Sequence, residues 1–330
     1  MFDINKYYHC CDWIQGVLPI DNVKIFFDNL ELVDSSLSFN NFANRKNGLL
    51  GYSTRYCLND KDYFVVCWNP VNDIFSCASS PVSDITDVSK LLPGVFLYVS
   101  GDGLRLLSEL DCQEKFFKLL RSLNFKCNRF DLAIDFFNPN NSIVPLLQGA
   151  FEISRFSLHS RDENGDFIRT GLDKGTPFIH SRLSNIRKFE HIDNIRHIGM
   201  GQVVCNYRIG GGRSRLGEVK LYDKWLEVNT VKRLKDCKDE LLQNVPFDYW
   251  WRLEYTLKTE YSQQIFNQFV DDDCNISLVA KYCINKLFRV VLWRSEGVHD
   301  CQCDLSEAWS EFLDYFNSIS NGALKVNLAK

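Results

Sequence analysis

Three stretches of this chain alternate apolar and charged side chains with a period of two, and that pattern restricts the fold more than any other feature. In RFDLAIDFF, Phe130, Leu132, Ile134 and Phe136 fall on one side, while Asp131, Ala133 and Asp135 fall on the other. GEVKLYDK sets Val219 and Leu221 against Glu218, Lys220, Tyr222 and Lys224. WRLEYTLK sets Trp251, Leu253, Tyr255 and Leu257 against Arg252, Glu254, Thr256 and Lys258. Side chains of a strand point alternately to its two faces, so each segment reads as a strand with one core face and one polar face. Alternation of this kind belongs to antiparallel sheets, because strands buried on both sides read as continuous apolar runs.

Further strands are expected near residues 13–18, 63–68, 94–100, 203–209 and 287–293. Helical periodicity marks 103–123, 142–153, 224–243, 260–269 and 305–318. These elements interleave without the regular spacing of βαβ units, and several strand pairs lie close enough for hairpins. The expectation is an α+β fold, a mainly antiparallel central sheet flanked by helices with the functional site on the polar face of the sheet. No period of 20–50 residues repeats, which excludes solenoids and propellers. The breaks at 138–141 (N-P-N-N) and 161–177 read as surface excursions, not as linkers.

Composition removes other classes. Apolar residues make up 45% and charged residues 24%, as in globular chains. No apolar run approaches the roughly 20 residues of a membrane-crossing helix. The opening MFDINKYYHCCDW has no basic region followed by an apolar stretch, so a secretion signal is not expected. Thirteen cysteines without a C-x-x-C pair fit free thiols in a reducing cytosol, neither a disulfide framework nor a zinc site. His299, Cys301 and Cys303 alternate in what reads as an incidental loop. The net charge of −4 hides a basic stretch: residues 182–215 hold seven Lys or Arg against two acids. A polyanion can bind to such a local potential, and a solvated loop would carry the same charges.

The polar faces carry the chemistry. Aspartate is a poor strand former, and Asp131 and Asp135 stand four residues apart in an otherwise aromatic and aliphatic strand. Burying them is costly unless something charged lies close by. A divalent ion such as Mg²⁺ or Mn²⁺, which favours hard oxygen ligands, meets that demand; a network of salt bridges meets it as well. The residues alone leave both readings open.

NYRIGGGRSRLGEVKLYDKWLE resembles the signature of the replication initiation factor family, which includes rolling-circle plasmid initiators and relaxases of conjugative elements. Tyr207, Gly210, Arg213 and Ser214 fall on the first half of its pattern (Y-x-G-S-R-x-S), and Tyr222, Asp223, Lys224 and Glu227 on the second (R-x-Y-D-K-x-x-E). RFDLAIDFF is similar to the family's R-x-D-x-A-x-D strand and WWRLEYTLK to its W-x-R-x-E strand. YVSGDGLRLL resembles its S-G-x-G-x-R turn into a helix, and CDWIQGVLP its opening strand. The matches keep the family's order across residues 11–258. This chain departs from the pattern in having G-G-G-R at 210–213 for G-S-R, and Lys220 for the arginine two before the signature tyrosine.

The resemblance implies initiation of rolling-circle replication or transfer by site-specific nicking and joining of one DNA strand. A tyrosine attacks a phosphodiester, stays on the 5′ phosphate and leaves a 3′ hydroxyl. Tyr222 is the expected nucleophile, with Lys220 and Lys224 on its face. Tyr207 is the rival, and by alternation it shares a face with Val203, Cys205 and Ile209 as a packed core residue. Asp131, Asp135 and Glu254 are the expected ligands of Mg²⁺ or Mn²⁺, with Glu218 in reserve; no His-hydrophobe-His pair is present. Arg213, Arg215, Arg252 and Arg208 are expected to contact DNA. The turn Ser100–Gly101–Asp102–Gly103 suits phosphate at a helix N-terminus, and a plain strand-to-helix turn explains it equally well. Residues 1–260 are read as the nicking domain and 261–330 as a helical C-terminal extension of it. The implied partners are single-stranded or melted origin DNA, a host helicase and a second copy of the chain, with no membrane, in the cytoplasm of a bacterial cell bearing a plasmid or other mobile element. Two alternatives remain: a DNA-binding protein of the same fold that does not nick, and a carboxylate nuclease that uses water.

Overall fold

A computed structural model describes residues 5–20, 23–45, 47–69, 94–156, 160–161, 167–168, 172–181, 189–192, 206–209, 216–225, 227, 249–295 and 302–326. The fold is α+β, with mainly antiparallel strands and flanking helices. The chain divides into two compact units: Met1–Cys10, Leu132–Thr256 and Ile276–Leu324 in the first, and Cys11–Asp131, Leu257–Asn275 and Lys325–Lys330 in the second. Residues 261–330 are therefore shared between the units, with 276–324 in the first.

In chain order the elements are β1 (Tyr8–Leu18), α1 (Val23–Val33), β2 (Phe42–Arg45), β3 (Thr54–Leu58), β4 (Phe64–Trp68), β5 (Val95–Ser100), α2 (Gly101–Glu109), α3 (Gln113–Ser122) and β6 (Lys126–Phe136). Then come α4 (Ile143–Phe156), β7 (Ser160–Arg161), β8 (Phe167–Ile168), β9 (Pro177–Ser181), β10 (Phe189–Ile192), β11 (Asn206–Ile209), β12 (Gly217–Asp223) and β13 (Trp251–Lys258). The chain continues through α5 (Thr259–Asp271), α6 (Ile276–Tyr282), a π-helical turn at Cys283–Leu287, β14 (Phe288–Leu292) and α7 (Glu307–Ile319).

In the second unit the strands run β1-β5-β4-β3-β2, each pair antiparallel. Helices α1, α3 and α5 bury phenylalanines (Phe26 and Phe27, Phe116 and Phe117, Phe266 and Phe269) on the faces that pack against the sheet. Edge-to-face contacts join the layers: Phe27 to Trp68 at 5.9 Å and Phe64 to Phe116 at 5.4 Å between ring centroids. Tyr52, Cys57, Val65, Cys67 and Phe96 form a separate apolar cluster. The single helix expected over 103–123 is two, because the chain turns at Asp111, whose φ of 51° is left-handed, before α3 restarts at Gln113. Glycines let α2 follow β5 without a spacer. A Cβ on Gly103 would lie 2.4 Å from the Tyr63 carbonyl oxygen, so only a hydrogen fits there.

The first unit carries the order β10-β11-β12-β13-β6, with β10–β11 and β11–β12 antiparallel, and the separate pair β9–β14. The alternation read from the sequence is realised. Val219, Leu221, Leu253, Tyr255, Leu132 and Ile134 are fully buried. Phe151 of α4 packs on Tyr207 and Phe288, while Trp309, Phe312 and Phe316 of α7 extend the same core. Trp309 also donates from Nε1 to the Ile284 carbonyl at 3.1 Å, capping an acceptor of the π-helical turn. The helix expected over 224–243 and the strand residues before Asn206 lie outside the described residues. The short strands β2 and β3, and the helix α1, are not among the elements expected from the sequence.

Candidate active site

The opposite face of β12 and β13 is polar yet largely buried. Glu218 and Tyr222 of β12, with Arg252, Glu254 and Thr256 of β13, are all buried. Ionised groups in such a position must be paired, since desolvating a lone charge costs several kcal/mol. Each carboxylate here has a cation. Glu254 accepts from Lys220 Nζ at 2.9 Å on Oε1 and from the Tyr222 hydroxyl at 3.0 Å on Oε2. Glu218 accepts from Arg208 Nε at 2.8 Å and from Nη2 of the same guanidinium, and Lys220 Nζ lies 3.4 Å from its other oxygen. Asp135 accepts Arg252 Nε and Nη2 at 2.7 and 2.8 Å and Trp250 Nε1 at 2.7 Å.

Electrostatics follow from this pairing. Burial pushes the Glu254 carboxyl up, but the Lys220 ammonium overcomes it, helped by Arg252 and the Tyr222 hydrogen bond, and the carboxyl titrates below the usual glutamate range. Glu254 is thus an ionised acceptor for the Tyr222 phenol. Lys224 stands 5.6 Å from the centroid of the Tyr222 ring and donates to Glu227 at 2.5 Å. The end of β12 is fixed by Lys224 and Trp225, whose amides donate to the Trp250 carbonyl at 2.7 and 3.0 Å. The carboxylates lie deeper than the cations: the side chains of Lys220 and Arg208 are 30% and 24% exposed, against 9% and 8% for Glu254 and Glu218.

Tyr207 points to the apolar side, 8% exposed, with its ring 5.2 Å from that of Phe151. Arg252 is buried on Asp135, which it holds through Nε and Nη2. Arg208 is held by Glu218. Arg213 and Arg215, expected at DNA, lie outside the described residues, as do His299 and Cys301. Asp131 belongs to the second unit, where Arg129 grips it through Nε at 3.0 Å to each oxygen and through Nη2; Arg129 also lies 4.6 Å over the Trp13 ring, itself stacked on Tyr98 at 5.0 Å. At the Ser100–Gly103 turn the place suited to phosphate has an anion already. A Cβ on Gly101 would meet Asp12 Oδ1 at 2.7 Å, which puts that carboxylate at the start of α2.

Among the described residues, no three His, Cys, Asp or Glu side chains are grouped so as to hold a metal ion. The oxygens of Asp131, Asp135, Glu218 and Glu254 are instead taken up by arginine, lysine, tyrosine and tryptophan donors. Such a donor set does not fit Mg²⁺ or Mn²⁺ without displacing those partners. Two residues that pair with these carboxylates were not among the expected site residues: Trp250, which fixes Asp135, and Arg129, which fixes Asp131. The signal for Arg129 was present, since it shares the face of Asp131 by period two. For Trp250 it was the vicinal tryptophan pair, only one member of which can face the core.

The whole chain is similar in fold to a solved structure, described as that of the rolling circle replication initiator protein from Geobacillus stearothermophilus. The two share 16% identity and superpose with a TM-score of 0.62, covering 95% of this chain and 97% of that one. No protein-family model and no curated protein matches the chain. Among the described residues, no helix is long and apolar enough to cross a membrane.

Proposed function

We propose that this protein initiates rolling-circle replication by nicking and rejoining one DNA strand, with Tyr222 as the nucleophile. The observation that carries the reading is the hydrogen bond from the Tyr222 hydroxyl to Glu254, an ionised carboxylate kept so by Lys220. A phenol with an ordinary pKa near 10 is a weak nucleophile until its proton has an acceptor. Glu254 Oε2 takes that proton as the phenolic oxygen bonds to phosphorus. The bond from phosphorus to the 3′ oxygen breaks, and the departing oxygen takes a proton from solvent to become a 3′ hydroxyl. Charge growing on the non-bridging oxygens is met by Lys220, with Lys224 beside the tyrosine ring. Rejoining runs the same steps backwards. Likeness in fold to a replication initiator supports the biological setting.

The test is a covalent adduct with labelled single-stranded DNA from the origin of the chain's own replicon, assayed with and without Mn²⁺. An adduct lost in Tyr222→Phe and kept in Tyr207→Phe is expected. Adduct kept in Tyr222→Phe and lost in Tyr207→Phe would move the nucleophile to Tyr207. Cleavage with no adduct would replace transesterification by hydrolysis.

A further inference from the structure

Arg208 and Lys220 are direct cross-strand neighbours in the β11–β12 ladder. Like charges placed opposite one another destabilise a sheet. Here they are held together by Glu218, which takes Nε and Nη2 of the guanidinium on one oxygen while its other oxygen faces the Lys220 ammonium at 3.4 Å. Glu218 is 8% exposed, so the carboxylate is inside and both cations are outside. Two partly exposed cations on neighbouring strands, whose backbones run about 5 Å apart, can each donate to one of the two non-bridging oxygens of a phosphodiester. Lys220 is two residues, or roughly 7 Å, from Tyr222 on the same face of β12.

We infer that Arg208 and Lys220 form a two-cation clamp for one DNA phosphate beside Tyr222, and that Glu218 is a positioning residue that holds the two cations in register. The inference rests on the strand-transfer reading above and adds the element that grips the substrate. It assigns Glu218 a task as counter-ion. The ligand class is the phosphodiester of a single strand, whatever its base sequence.

The experiment uses the full chain and a fluorescein-labelled single-stranded oligonucleotide, with anisotropy across a salt series and adduct formation measured in parallel. Arg208→Ala is expected to weaken binding about tenfold and to flatten the salt slope by about 0.7, the value for one lost single-strand phosphate contact. Glu218→Gln removes a negative charge without removing a cation. It is expected to hold or tighten binding while slowing adduct formation at least tenfold, because Lys220 and Arg208 then repel out of register. Loss of a purely structural ion pair would not slow the adduct while sparing binding. Arg208→Lys keeps the charge and loses the fork, and is expected to keep the slope and slow the adduct, which covers the case where Arg208→Ala does not fold. Unchanged affinity and slope in Arg208→Ala, or parallel loss of binding and rate in Glu218→Gln, would overturn the clamp. A wild-type chain that forms no adduct yet shows the stated Arg208→Ala effects would sink the strand-transfer reading and leave the clamp standing.

Discussion

Lys220→Met isolates the cation that keeps Glu254 ionised. In the wild-type protein the folded carboxyl titrates below its unfolded value, so the pair contributes stability above the ordinary glutamate range and loses it as pH falls through the lowered pKa. Methionine keeps most of the side-chain length and apolar stem but leaves Glu254 with its burial unopposed by the nearest cation. Removing one partner of a wholly buried pair costs about 3–5 kcal/mol. Lys220 is 30% exposed, and the Tyr222 hydroxyl and Arg252 remain near Glu254, so the expected loss at neutral pH is about 2–3 kcal/mol. The sign then reverses. In the variant the folded state binds a proton on Glu254 more readily than the unfolded chain does, so lowering the pH narrows the gap to wild type. Urea unfolding followed by tryptophan fluorescence at about pH 7 and about pH 4.5 measures this. Lys24→Met, which removes an exposed pair with Asp28 (48% and 55% exposed), is the control and should change stability by less than about 0.5 kcal/mol. A gap that is absent at pH 7, or equal at both pH values, would refute the argument that Lys220 sets the charge of Glu254.

Two predictions concern backbone and packing. Thr259 opens α5 with a φ of 51°, a left-handed conformation that costs a β-branched residue about 1–2 kcal/mol. Thr259→Gly should therefore stabilise the protein by about 0.5–1 kcal/mol after allowing for the freer unfolded chain, and a loss in urea unfolding would contradict this. At Gly103 a new methyl would meet the Tyr63 carbonyl oxygen at 2.4 Å, whereas at Gly101 its one close contact, 2.7 Å, would be with the end of the Asp12 side chain, the Asp12 carbonyl oxygen lying at an ordinary 3.4 Å. Gly103→Ala should cost about 2–3 kcal/mol and Gly101→Ala distinctly less, and equal effects would show that the helix start is not packed as described.

What the sequence displayed and what it hid divide along a physical line. Strand β12 spans 217–223, as its alternation predicts, and the apolar side of β6 is buried with Leu253, Tyr255 and Leu257 of β13, because burial of one face is dictated locally by period two; Trp251, expected on that side, is only half-buried. The partners of the buried charges were not legible. Whether Glu254 meets a metal ion or Lys220, and whether Asp135 meets Arg252 and Trp250, depends on register between strands far apart in sequence. The turn at Asp111 was hidden for a related reason: helical periodicity continues across it, and only a left-handed residue marks the break. Segments such as Phe42–Arg45 are too short to show any period.

The residue to which nucleic acid becomes attached decides whether Tyr222 is the nucleophile. Mass-spectrometric mapping of the peptide covalently bound to a nicked single-stranded origin should place the phosphate on Tyr222, in a peptide that also contains Lys220 or Lys224 depending on the protease. Attachment to Tyr207, or to no tyrosine while strands are still cut, would contradict the pairing of Tyr222 with Glu254 as the reactive unit.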